Sequence, residues 1–211
     1  MFDAALRPLV NRILDPVGRL LAGAGVSANL VTIIGFAFGA GAAVAVAFEA
    51  GMVALTLLAV NRLCDGLDGA VARARGPTDL GGFLDITLDF VIYSGLVFAF
   101  AIANPDNAIA VAFLTFSFVG TGTSFLAFAI IAQKRGISTD IRGKKSFFYL
   151  GGLTEGLETI IFLCTVIVIP SSFAPLAWFF GVLCWITTAT RISYAVRRLS
   201  GPADNETGDG K

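Results

Sequence analysis

"CDGLDGAVARARGPTDLGGFLDITLD", residues 64–89, sets Asp65, Asp68, Asp85 and Asp89 inside a chain that is otherwise strongly apolar. On a helix, residues three or four apart share a face, so Asp65 and Asp68 form one pair and Asp85 and Asp89 another. The "GPTD" between them, residues 76–79, carries turn chemistry. Helices joined by so short a connection run antiparallel and side by side. The stretch therefore predicts a helical hairpin whose two arms bring four carboxylates to one place.

The surrounding composition says where that hairpin sits. Of 211 residues, 56% are hydrophobic and only 14% charged, against about a quarter charged in an ordinary soluble domain. A helix needs about 20 mostly apolar residues to cross roughly 30 Å of hydrocarbon, and such stretches are predicted at 29–48, 52–73, 81–103, 108–132, 153–170 and 174–196. The breaks between them hold "EAGM", "GPTD", "NPDN", a polar run at 133–146 and "PSSFAP". None of the seven prolines falls in the middle of a predicted span. The expected fold is an all-α integral membrane protein of six transmembrane helices, residues 26–199, preceded by an amphipathic juxtamembrane segment, residues 1–25. The polar residues 200–211 form a tail expected to be disordered.

With the N-terminus in the cytoplasm, all 15 Lys and Arg residues fall on or near the cytoplasmic side, and the outer turns at 49–51, 104–107 and 170–174 contain none. That asymmetry is the positive-inside pattern. It places both termini and the four aspartates on the cytoplasmic side. In residues 1–25, apolar side chains recur at helical spacing with Arg7, Arg12 and Arg19 between them, which fits a helix lying along the membrane surface better than a signal peptide. Asp15 and Pro16 are expected to break it in two, as a cap and a first-turn residue.

Four carboxylates in a poorly solvated place repel one another, so they need protons, basic partners or metal ions. Histidine is absent, and an all-oxygen ligand set suits hard cations such as Mg²⁺ or Mn²⁺. The plainer alternative is a set of solvated acids at helix ends, paired with Arg62, Arg73 and Arg75. Gly66 and Gly69 beside Asp68, and Gly81 and Gly82 at the next helix start, either admit a ligand to the backbone or allow close helix packing. Cys64, Cys164 and Cys184 are isolated in apolar surroundings and read as buried small side chains.

These residues resemble the signature of the CDP-alcohol phosphotransferases, integral membrane enzymes of phospholipid synthesis, written D-x2-D-G-x2-A-R-x8-G-x3-D-x3-D. Asp65, Asp68, Gly69, Ala72, Arg73, Gly81, Asp85 and Asp89 match in order and type, with seven residues rather than eight between Arg73 and Gly81. "SANLVT", residues 27–32, is similar to the family's first-span entrance, with Ala28 where proline is usual. The resemblance implies transfer of a phosphatidyl or related group from a CDP-linked lipid donor to the hydroxyl of a small polar alcohol, with release of CMP, in a bacterial inner membrane. It implies two Mg²⁺ or Mn²⁺ ions on Asp65, Asp68, Asp85 and Asp89, with Asp89 also the base that takes the acceptor's proton. Asn29, Thr32, Gly69, Ala72 and Arg73 are then expected at the CDP moiety. A homodimer is implied, and no nucleic-acid partner.

The acceptor is expected to bear phosphate, because Arg142 and Lys144 in the polar run and Arg191 inside the last span are phosphate-binding types. The basic run is equally expected from topology alone. Glu155 and Glu158 either pair with Arg191 or line the acceptor pocket. The compact six-span form leans toward glycerol 3-phosphate, with inositol phosphate as the alternative. Two rival classes remain: an aspartate-rich intramembrane prenyltransferase, and an ion or proton transporter using the same carboxylates.

Overall fold

The computed structural model describes residues 3–135 and 152–200, with side chains described from residue 9 onward, and these residues contain helices and turns but no strand. The helices are α1 (Asp3–Gly23), α2 (Ala28–Ala47), α3 (Gly51–Arg75), α4 (Asp79–Ala103), α5 (Ala108–Lys134), α6 (Gly156–Val168) and α7 (Phe173–Leu199). Short 3₁₀ turns, Pro105–Asn107 and Pro170–Ser172, lead into α5 and α7.

Helices α2 to α7 fall at the six apolar stretches expected from the sequence. Four of them, α2, α4, and α5 and α7 with their leading turns, are long and apolar enough to cross a membrane. The six-span count is therefore not met on hydropathy and length alone, for two different reasons. Helix α3 has the length but carries Arg62, Asp65, Asp68, Arg73 and Arg75. Helix α6 is apolar but has only 13 residues. Large apolar side chains such as Leu30, Ile33, Val44, Phe98, Ile102, Phe116 and Phe179 cover the outside of the bundle, an arrangement suited to lipid and costly in water. The protein is an integral membrane protein of helices.

Small residues set the packing. Helix α2 lies against α3 and α4, α1 against α3, and α5 against α7. A Cβ on Gly35 would lie 2.8 Å from the Cβ of Cys64, and one on Gly39 would lie 2.7 Å from Ile92 Cδ1, so α2 approaches its two neighbours only because those side chains are missing. The core behind this contact is apolar, with Leu58, Leu96, Val97, Leu114, Leu163 and Phe173 at most 1% exposed. Of the cysteines, Cys184 is buried and Cys64 and Cys164 are half-buried, all with free thiols.

Helix α1 runs unbroken through Asp15 and Pro16, so the expected break is corrected. Asp15 does not cap a helix start; it accepts from Arg73 on α3 at 2.7 and 3.1 Å. Proline costs one backbone bond inside a helix, which the packing of Leu14 and Gly18 against α3 helps to offset: Leu14 fills the space beside Gly66, and Gly18 sits directly on Ala70. The other side of α1 exposes Leu9, Ile13, Val17 and Leu20.

Candidate active site

The α3–α4 hairpin turns in three residues. Gly76 leaves α3 at φ 96°, a conformation open to glycine, and Thr78 caps α4 by accepting from the Gly81 amide at 3.0 Å. The motif's short loop is thus a tight turn, and both helical spacings survive it. One oxygen from each of Asp65, Asp85 and Asp89 lies within 4.8 Å of the others. They line an open cleft together with Asp68 and Thr32.

Asp68 is the deepest of the four, 7% exposed. Its Oδ2 accepts from the Thr32 hydroxyl at 2.7 Å. The entrance of α2 therefore forms part of the site, held in place by Ser27, whose hydroxyl caps the helix at Leu30. Asn29 is at the same entrance, its Oδ1 3.1 Å from where a Cβ on Gly81 would stand.

Arg62, which the sequence offered as a basic partner of the acids, and Asn61 and Tyr93, which sequence reasoning had not placed in the site, complete its inner wall. Arg62 binds Asp89 through Nη2 at 2.7 Å and Nη1 at 3.4 Å, and Nη1 is 3.6 Å from Asp65. The same Nη1 donates to Tyr93 Oη at 2.8 Å, and Nε donates to Asn61 Oδ1 at 2.8 Å. Tyr93 Oη in turn donates to Asp89 Oδ2 at 3.3 Å. Asn61, buried, is itself anchored by donating to the Gly35 carbonyl at 2.8 Å. One signal for Arg62 was present: a guanidinium inside an apolar stretch, three residues before an aspartate, needs a partner.

The glycines divide between the two roles left open by sequence. Gly66 serves packing, since Leu14 Cδ1 would be 2.5 Å from its Cβ. Gly69 faces only Arg73 Nη1, at 3.3 Å, and Gly82 has nothing within 4 Å. Ala72 is half-buried one turn beyond Asp68.

The other expected residues lie elsewhere. Arg191 is seated between α5 and α7, donating to the Thr121 carbonyl at 3.0 Å with its guanidinium 5.6 Å from the Phe125 ring centre. Glu155 and Glu158 form a reciprocal capping box at the start of α6, the Glu155 amide donating to Glu158 Oε2 at 3.1 Å. Arg142 and Lys144 lie outside the described residues, as do residues 201–211 of the expected tail.

Residues 25–192 match the profile of the CDP-alcohol phosphatidyltransferases. The chain belongs to that family. It is a CDP-alcohol phosphatidyltransferase, a transferase of phospholipid synthesis in a metal-dependent family, and the prenyltransferase and transporter alternatives fall away. The inner membrane protein YnjF of Escherichia coli is 47% identical over 91% of this chain and 94% of its own. The archaetidylinositol phosphate synthase of Pyrococcus horikoshii is 30% identical over 92% of this chain and 96% of its own. The crystal structure of Mycobacterium tuberculosis phosphatidylinositol phosphate synthase with CDP-DAG bound superposes with a TM-score of 0.55 at 25% identity, covering 90% of this phosphatidyltransferase and 92% of that chain. The last two carry inositol phosphate in their names, so the lean toward glycerol 3-phosphate has no support from them, and the alternative acceptor fits better.

The donor set also fits a divalent cation. Three acid oxygens converge with a fourth acid behind them, and Arg62 is the basic side chain that meets Asp65 and Asp89 there. Carboxylates so placed favour a doubly charged, oxygen-loving ion.

Proposed function

We propose that this phosphatidyltransferase moves a phosphatidyl group from a CDP-linked lipid such as CDP-diacylglycerol to the hydroxyl of inositol phosphate, releasing CMP. The observation that carries the reading is the meeting of Asp65, Asp85 and Asp89 in one cleft, with Asp68 held beside them by Thr32. The inositol phosphate synthases among its relatives support the acceptor.

Asp65, Asp68, Asp85 and Asp89 would hold two Mg²⁺ or Mn²⁺ ions. Bound there, such ions neutralise a pyrophosphate and stabilise charge at a phosphorus attacked in line. Asp89 takes the proton of the acceptor hydroxyl, the work a histidine would do in a chain that had one. Asn29, Thr32, Gly69 and Ala72 admit the CDP moiety, and Arg73 steadies its phosphates. Arg191, with Arg142 and Lys144, binds the acceptor's phosphate.

The site lies on the cytoplasmic side of a six-span bundle with both termini inside, a placement supported by the distribution of Lys and Arg. Helix α1 rests on the membrane surface with Leu9, Ile13, Val17 and Leu20 toward lipid, and the protein works as a homodimer. A site at the boundary lets acyl chains stay in lipid while CMP and the acceptor remain in water.

The deciding experiment supplies purified protein with CDP-diacylglycerol, Mn²⁺ and, separately, inositol phosphate, glycerol 3-phosphate and serine, reading CMP and the new lipid. Fastest turnover with inositol phosphate is expected. No CMP with any acceptor would overturn the transferase reading, and preference for another alcohol would overturn the acceptor.

A further inference from the structure

We infer that Arg62 is a positioning residue of the transfer site, which holds the Asp89 carboxylate at the angle from which it takes the acceptor's proton. The inference rests on the assignment of Asp89 as the base. Four observations make Arg62 more than a neutralising charge. Its guanidinium contacts both Asp89 oxygens, at 2.7 and 3.4 Å. It is fixed on a different edge by Asn61, through Nε at 2.8 Å. Tyr93, one turn beyond Asp89 on α4, touches Arg62 and Asp89 with the same hydroxyl, and the guanidinium carbon is 5.3 Å from its ring centre. Finally, Asn61 is tied to the Gly35 carbonyl on α2. The chain of contacts runs from the α2 backbone through Asn61 and Arg62 to Asp89, so the carboxylate's rotation is set by three helices at once.

A planar guanidinium can meet a carboxylate, an amide oxygen and a phenol in one fixed geometry, whereas a lysine ammonium is a point charge on a flexible stem. Asp89 alone could rotate about its side-chain torsions. Clamped, it keeps one oxygen close to Asp65 and Asp85. Displacing a reacting group by about 1 Å costs up to roughly a hundredfold in rate.

The test compares Arg62→Ala, Arg62→Lys, Tyr93→Phe and Asp89→Asn in the purified full-length enzyme. Steady-state kinetics are paired with Mn²⁺ binding read by electron paramagnetic resonance in the absence of substrate. Arg62→Ala is expected to lower kcat by about tenfold or more, with donor KM changed by less than about threefold. Mn²⁺ should bind at least as tightly as in the wild type, because a competing positive charge is gone. Arg62→Lys keeps the charge and is expected to recover only part of kcat, with Tyr93→Phe between it and the wild type. Full recovery by lysine, or a normal kcat in Arg62→Ala, would overturn the inference, as would Mn²⁺ affinity falling in parallel with kcat in both Arg62 variants. If Arg62→Ala does not fold, the lysine and phenylalanine variants decide alone. Normal turnover in Asp89→Asn would sink the base assignment itself, whereas an inactive Asp89→Asn beside a normal Arg62→Lys and Tyr93→Phe sinks only the clamp.

Discussion

Thr32, at the entrance of α2, donates a 2.7 Å hydrogen bond to Oδ2 of Asp68, thirty-six residues later on α3. The bond satisfies the most buried acid of the cleft and ties the expected nucleotide entrance to the expected metal ligands. Replacing Thr32 by valine keeps the shape and removes the hydroxyl. Loss of a partner by a buried group costs about 1–3 kcal/mol, so Thr32→Val should need on the order of tenfold more Mn²⁺ for half-maximal CMP release. An unchanged Mn²⁺ titration would show that Asp68 does not depend on this bond.

Removal of metal, or of any one convergent acid, should stop the reaction. Chelation with EDTA is expected to abolish CMP release, and added Mn²⁺ to restore it. Asp65→Asn and Asp85→Asn each keep the size of the side chain and delete a charge at the cluster, so neither should recover at any Mn²⁺ concentration. Normal turnover in either purified variant would remove that residue from the ligand set.

Gly66 and Gly69 are predicted to fail in opposite ways. A Cβ on Gly66 would meet Leu14 at 2.5 Å. Alanine can be accommodated by a turn of that flexible side chain, but Gly66→Val should push α1 away and destabilise the protein by about 1–3 kcal/mol, read as a lower Tm. Gly69→Ala meets only the end of Arg73 and gains roughly 1 kcal/mol in helix propensity. It should hold its Tm while the donor KM rises. Equal thermal losses in the two variants would contradict this division.

Arg73 and Asp15 form an ion pair that is partly open to water, with side chains 46% and 34% exposed. Pairs of that kind contribute at most about 1 kcal/mol, so Asp15→Asn and Arg73→Ala should lose similar, small amounts of stability. Their kinetics should separate them: if Arg73 steadies the donor's phosphates, Arg73→Ala raises the KM for CDP-diacylglycerol several-fold more than Asp15→Asn does. Matching KM values would reduce Arg73 to a tether for α1.

Arg191→Ala is expected to raise the KM for inositol phosphate while leaving that for the donor nearly unchanged, since a bidentate guanidinium is the group best matched to a phosphate. Its bond to the Thr121 carbonyl links α7 to α5, so Tm is measured alongside. A fall in Tm with no change in acceptor KM would make Arg191 a packing residue.

The amino-acid order by itself determined the helices, the hairpin and the meeting of the acids. Lengths of apolar residues between turn chemistry located α2 to α7, and spacings of three and four put each aspartate pair on one face. A three-residue turn left the two faces no choice but to converge. What only the tertiary structure decided is how each helix is rotated and which distant side chains complete the cleft. That Asp15 serves Arg73 instead of a helix cap, and that Arg62 on α3 meets Asp89 and Tyr93 on α4, depend on residues far apart in the chain; the capping of α6 by Glu155 and Glu158 is by contrast local, set by their spacing of three. The anchoring of Asn61, and through it of Arg62, depends on how closely α2 approaches α3 and α4 where Gly35 and Gly39 leave room. Local periodicity says which face of a helix is polar; only packing against a neighbour of definite shape fixes which partner that face meets.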